Sequence, residues 1–144
     1  MKKLLLVLVL MSGLLMGCAA IKKPTVNVVS VKPSSVTPTS VILNVKVRID
    51  NPNPIGAHLT KIEFDIYNQN RYLGHGEKKD VSIKANGITE ITIPVKIEDI
   101  QAIKALYTLA KNGEITLKIK GTAYVDLKIT SFGIPFEQTE TIKI

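Results

Sequence analysis

The 144-residue chain has one cysteine, no tryptophan, two histidines and only two arginines. A lone cysteine excludes an internal disulfide and any cysteine-based zinc or iron–sulfur site, so packing and hydrogen bonding alone must hold the fold. Two arginines against 17 lysines leave few planar forks for phosphates and bases, and no basic run exceeds two residues, which argues against nucleic acid as a partner. His58 and His75 lie at no metal-ligand spacing from another histidine or a carboxylate, so both read as loop residues facing water. Neither a metal nor a cofactor is expected. There is no G-x-S-x-G, no phosphate-binding glycine loop and no dinucleotide fingerprint. Glu63, Asp65 and Asp126 fall on outward strand positions, and Asp50 ends a strand beside an unusual loop. Asp50 is the best-placed acid, with turn capping its expected role. The absence of paired carboxylates in apolar settings argues against an enzyme.

The sulfur that is present is concentrated at the start. Met1, Met11, Met16 and Cys18 are the only sulfur-containing residues, so the chain is two compositions joined at Cys18. Residues 1–17 have the layout of a signal peptide: Lys2-Lys3, then the unbroken apolar run Leu4 to Leu10, then Leu14-Leu15-Met16-Gly17. The 13 residues from Leu4 to Met16 are interrupted by Ser12 and Gly13, and they fall short of the roughly 20 apolar residues that cross a bilayer. Leu15 at −3, Gly17 at −1 and Cys18 at +1 resemble the lipobox of prokaryotic lipoprotein precursors. The resemblance implies cleavage before Cys18 and a diacylglycerol on its thiolate. Each buried methylene of such a lipid contributes roughly 0.8 kcal/mol, and two chains suffice for stable anchoring. Cys18 is therefore the expected lipidation site, placing the chain in the cell envelope, outside the cytoplasm. Ala19 after the cysteine permits export to the outer membrane of a two-membrane host. Residues 18–24 form the lipidated start and a short tether, in which Lys22 and Lys23 are placed to rest on anionic headgroups.

The remaining 127 residues suffice for one domain with a real core. Isoleucine, valine and threonine make up 42 of them, which favours sheet. Strict alternation runs through Val41, Leu43, Val45, Val47 and Ile49, then Ile62, Phe64 and Ile66, then Ile91, Ile93, Val95 and Ile97. A longer run extends from Ile115 to Ile129, with Gly121 as an expected bend or bulge, and 134–144 reads as a closing strand. Period two with one wet face specifies antiparallel sheet. One segment changes period. Ile100, Ile103, Leu106 and Ala110 recur at helical spacing within residues 99–111, with Asp99 before them and Asn112-Gly113 after. Its polar face holds only Lys104 and Lys111 as basic groups, which favours covering one end of the sheet over binding a membrane. Turns are expected at 32–35, 51–54, 68–70, 74–76, 86–87 and 131–133, with Asn86-Gly87 as a hairpin signal.

Asn51-Pro52-Asn53-Pro54 closes one alternating strand, and its two prolines remove two backbone donors and fix φ. The alternating strand at 62–67, Gly74-His75-Gly76, Ile93-Pro94-Val95, a helix and a long strand pair follow. In that order the segments resemble the type 2 late-embryogenesis-abundant proteins, the WHy-domain family, over residues 25–144. The resemblance implies a mainly β fold: an antiparallel, fibronectin-III-like β-sandwich with one helix. It also implies a non-enzymatic role in desiccation or other stress, with labile proteins or the membrane itself as clients. The alternative is an envelope assembly or adhesion module that recruits a protein partner through a sheet edge or the 51–54 loop. A small-ligand carrier is a weaker third reading.

Overall fold

The computed structural model describes residues 21–111 and 113–143. Seven strands and one helix follow in order: β1 (Thr25–Val36), β2 (Val41–Asn51), β3 (Ala57–Asn68), β4 (Arg71–Ile83), β5 (Gly87–Ile97), α1 (Ile100–Ala110), β6 (Ile115–Leu127) and β7 (Thr130–Ile142). They form two antiparallel sheets, β1-β2-β5 and β4-β3-β6-β7. The alternating apolar residues meet between the sheets, where Leu43, Val45, Val47, Ile49, Ile62, Ile66, Ile93 and Ile119 are wholly buried. The expected β-sandwich with one helix is what forms.

The helix sits where the period changes. The Asp99 carboxylate accepts the Gln101 N–H at 3.0 Å, satisfying one open donor at the helix start. Ala102, Ile103 and Leu106 are buried against the end of the sandwich. Beyond the helix Gly113 takes φ +90°, in the left-handed region expected for a residue that ends a helix.

Two edge strands replace expected turns. Residues 32–35 lie within β1, which slips register between Pro33 and Ser35, and Pro33 is tolerated because β1 pairs on one side only. Residues 74–76 lie within β4, an edge of the four-stranded sheet, and not in a loop. The turn after β1 is 37–40, where the Thr37 N–H donates to the Ser40 carbonyl at 2.8 Å and the Ser40 N–H to Thr37 Oγ1 at 3.0 Å. Residues 131–133 likewise belong to β7, whose hairpin turn is Lys128-Ile129.

Asn86 does reverse the chain, at φ 46°, but it makes no hairpin. β4 and β5 lie in different sheets, and β5 pairs with β2 from Val41↔Ile97 to Asn51↔Gly87. An Asn-Gly pair specifies a tight turn, and here the buried faces of the two strands are better covered by crossing between the sheets.

Gly121 is neither bend nor bulge, because pairing runs through it on both sides, to Phe64 and to Phe136. Phe64 also pairs with Gly76, so a row Gly76–Phe64–Gly121–Phe136 crosses the four-stranded sheet. A Cβ on Gly76 would lie 2.4 Å from Phe64 Cζ, and one on Gly121 would lie 2.1 Å from the Glu63 carbonyl oxygen. Gly76 vacates space that the Phe64 ring fills, Gly121 lets the β3 backbone at Glu63 and Phe64 approach closely, and Phe136 meets the Phe64 ring edge-on with centroids 6.4 Å apart.

Polar residues midway along β7 close the seam with β1. Gln138 accepts the Val28 N–H at 3.0 Å and donates to the Val28 carbonyl at 2.6 Å. β1 slips register immediately beyond, between Val28 and Ser30.

Candidate functional site

Cys18 lies outside the described residues. The described chain begins at Ile21 and is tied down at Lys22. Lys22 donates its N–H to Asn53 Oδ1 at 2.8 Å, and Asn53 Nδ2 donates back to the Lys22 carbonyl at 2.7 Å. Among the described residues Asn53 and Asn51 are the two buried polar ones, 2% and 0% exposed. Asn51 Nδ2 donates to the carbonyls of Ile55, at 3.0 Å, and Lys84, at 2.9 Å. Asn51 Oδ1 accepts the backbone N–H of Asn53 at 3.1 Å and its Nδ2 at 2.9 Å. The Asn53 carbonyl accepts the Asn86 N–H at 2.9 Å. Three segments distant in sequence are thereby joined by two amides, and no buried side-chain nitrogen or oxygen among the described residues lacks a partner. Pro52 and Pro54 point outward and are exposed. The Asn-Pro-Asn-Pro loop thus turns its hydrogen-bonding side chains into the protein and offers only prolines to a partner. Asp50 is exposed, and the cap expected of it is supplied by Asn51.

A second region is the outer face of the four-stranded sheet. Register brings His75 beside Asp65, with Nδ1 2.7 Å from the carboxylate, so His75 stands on a strand and not in a loop. His58 likewise faces Asp80, at 3.2 Å. Lys61 pairs with Glu63 at 3.3 Å, Lys79 with Glu77 at 3.4 Å, and Lys118 with Glu137 at 2.9 Å. A shallow groove of about 580 Å³ runs between Asp65, His75, Lys120 and Glu137. Ligand atoms of Glu63, His75 and Glu77 lie within 4.8 Å of one another. Both carboxylates are already held by lysines and the histidine by Asp65, so the group is a salt-bridged surface whose ammonium ions oppose a cation. His75 and Glu77 are two residues apart on β4, a spacing at which both side chains share one strand face, and the β3–β4 register brings Glu63 and Asp65 to them.

The displaced titrations on this face move away from neutrality. Partial burial, then the charges of Asp65 and Tyr67, hold the Tyr72 phenol above its ordinary value. The Lys118 hydrogen bond and charge hold the Glu137 carboxyl below the usual glutamate range. General acid–base catalysis needs the reverse, a group brought toward working pH.

Comparison with known proteins begins with a family model described as late embryogenesis abundant protein, which matches residues 46–140. That span is well over half of the chain. The chain belongs to the type 2 late embryogenesis abundant family. An uncharacterized protein of Methanocaldococcus jannaschii is 35% identical over 132 residues, covering 89% of this late embryogenesis abundant protein and 74% of the relative. A protein of Arabidopsis thaliana with a known solution structure is 26% identical and superposes with a TM-score of 0.72, covering 88% of this chain and 85% of that one. A second solution structure, described as a late embryogenesis abundant protein, shares the fold at 22% identity and a TM-score of 0.66, covering 99% of this chain and 86% of that one. Family membership points to a stress-related, non-enzymatic protein. The matched span of this late embryogenesis abundant protein includes the 51–54 loop and Gln138 but begins after β1, so the tether and the edge strand it continues into lie outside it.

Proposed function

We propose that this protein is anchored by lipid on Cys18 to the outer surface of a cell membrane, where it protects proteins or the membrane itself during drying or other stress, without catalytic turnover. The single observation that carries the protective role is the family match over residues 46–140. The anchor rests on the Leu15-Met16-Gly17-Cys18 sequence, which ends a short apolar run. The clamp on Lys22 supports a close mount: four residues separate it from Cys18, a reach of at most about 14 Å. No helix of the described residues is long and apolar enough to cross a membrane.

Two measurements test the two halves. A labile enzyme is dried and rehydrated with residues 19–144, after circular dichroism has shown that fragment folded, or with an equal mass of albumin. Greater recovered activity with the fragment is expected, and equal recovery sinks the protective role. For the anchor, wild type is expected in the membrane fraction of cells and Cys18→Ser in the soluble fraction. Unchanged fractionation of the variant sinks the anchor.

A further inference from the structure

The loops of the sandwich differ sharply between its two ends. Register places the tether (21–24), the β2–β3 loop (52–56), the β4–β5 turn (84–86) and the β6–β7 turn (128–129) at one end, with Thr25, Asp50 and Ile88 in one row. The Asn51 and Asn53 bonds hold the first three of these together, and Lys128 lines one groove with Ile55 and Gly56. These loops contain Lys22, Lys23, Lys84 and Lys128 and no carboxylate. None of the four lysines enters an ion pair among the described residues, whereas five lysines on the sheet faces do. The nearest acids are Asp50, within β2, and Asp126, which lines the same groove as Lys128 and accepts the Ser131 hydroxyl. Ile129, 76% exposed, is the most exposed large apolar residue of the domain and sits at the tip of its turn, with Ile55 exposed nearby. The opposite end mixes both signs, with Glu98, Asp99 and Glu114 beside Arg71, Lys104, Lys111 and Lys143.

We propose that the tethered end is a docking face for an anionic lipid surface, with Ile129 and Ile55 entering the headgroup layer and the four lysines meeting lipid phosphates. Apolar tips ringed by unpaired lysines suit that boundary, where a side chain loses its apolar part to lipid while ammonium groups stay among phosphates. The inference deepens the anchored reading above, because a lipid four residues before Lys22 would bring this end to the membrane. The Asn53 clamp converts a flexible leash into a mount of fixed direction, and the outer faces of both sheets then stand free of the bilayer.

The test uses the chain from residue 18 onward with Cys18→Ser, after circular dichroism has shown it folded, so that the apolar leader cannot itself enter the vesicle and one introduced cysteine carries an environment-sensitive fluorophore. Ile129→Cys reports on the proposed face, and Thr39→Cys, in the β1–β2 turn, reports on the far end. Both positions are exposed turn residues whose replacement spares the core. On vesicles containing phosphatidylglycerol the label at 129 should shift to the blue and be quenched by a bilayer-embedded quencher, while the label at 39 stays as in water. Phosphatidylcholine vesicles should give a much smaller shift. Lys84→Gln with Lys128→Gln should weaken binding to the anionic vesicles by about tenfold or more. Equal emission at 129 and 39, a shift at 39 alone, or a shift at 129 that follows protein concentration without lipid overturns the proposal. The last of these would mean a second copy covers the face. Release of Cys18→Ser from cell membranes judges the anchor separately, so the label decides docking whichever way that result falls.

Discussion

Replacing Asn51 by aspartate keeps the shape of a wholly buried side chain and removes the two hydrogens it donates. The lost bonds to the Ile55 and Lys84 carbonyls are worth about 1 kcal/mol each. The greater cost is that a carboxylate oxygen then faces those two carbonyls at about 3 Å with no donor between them, and each buried group left unsatisfied costs about 1–3 kcal/mol. Asn51→Asp should therefore destabilise the protein by about 4 kcal/mol at neutral pH, a large share of the 5–15 kcal/mol typical of a domain. Asn51→Ala removes the donors without adding charge and should cost about 3 kcal/mol, since Asn53 also loses its acceptor. Pro52→Ala, on the exposed side of the same loop, should cost under about 1 kcal/mol, mostly through the unfolded chain. Urea unfolding followed by far-ultraviolet circular dichroism separates the three if the slope m is unchanged. The sign with pH adds a second check. The site disfavours the introduced charge, so the folded variant binds its proton more tightly than the unfolded chain does. Acidification therefore shrinks the cost of Asn51→Asp toward that of Asn51→Ala. If Asn51→Asp and Pro52→Ala prove equal within about 1 kcal/mol, the loop is not held by its asparagines and the reasoning fails.

The two glycines beside Phe64 should respond differently to alanine. At Gly76 the new methyl meets the far end of the ring, so Gly76→Ala with Phe64→Leu should recover part of the loss of Gly76→Ala, measured as a coupling of about 1 kcal/mol or more in a double-mutant cycle. At Gly121 it meets the Glu63 carbonyl and the Phe64 backbone, so the same leucine should give no rescue; rescue at both positions would refute the clash geometry. Glu137 and Glu98 have carboxyls held below their ordinary value by the hydrogen bond and charge of Lys118 and Lys96 respectively. A depressed folded pKa contributes stability that is complete above the ordinary carboxylate range and is lost as pH falls through the depressed value. Thermal melts should show Glu137→Gln losing less stability than wild type on acidification, by a small margin because the group is fully exposed; a larger acid loss in the variant would contradict the sign.

What the sequence disclosed follows from where its signals are local. Val41 to Ile49 and Ile115 to Leu127 alternate because each strand has neighbours on both sides and one face in the core, so period two survives intact. The edge strands β1 and β4 were hidden because an edge is marked by what interrupts a strand: Pro33 and a register slip in one, Gly74, Gly76 and charged residues in the other. Gly76 and Gly121 have purely long-range reasons, the Phe64 ring for one and the β3 backbone at Glu63 and Phe64 for the other, and no local rule distinguishes such a glycine from a turn. Asn86 marks a reversal in the sequence, but which sheet the next strand joins depends on β2, more than thirty residues earlier. The 51–54 loop stood out by its prolines, yet its asparagines act through Lys22, Lys84 and Asn86, which only the folded chain brings near. On the face around His75, the pairs Lys61–Glu63 and Lys79–Glu77 lie two residues apart on one strand, whereas His75–Asp65 and Lys118–Glu137 exist only through the β3–β4 and β6–β7 registers.

The bond pair between Gln138 and Val28 has a consequence for how the protein behaves when crowded. As water leaves, chains crowd together, and any strand edge with open N–H and C=O groups becomes a template for a neighbour's backbone. At Val28 both groups are taken, one by each end of a side-chain amide, so Gln138 occupies the place that a peptide unit of an incoming strand would fill. The register slip beside it and Pro33 a few residues on interrupt the rest of that edge. At this point the β1 edge carries a stopper, so a second copy meets no open backbone pair there on which to extend the three-stranded sheet.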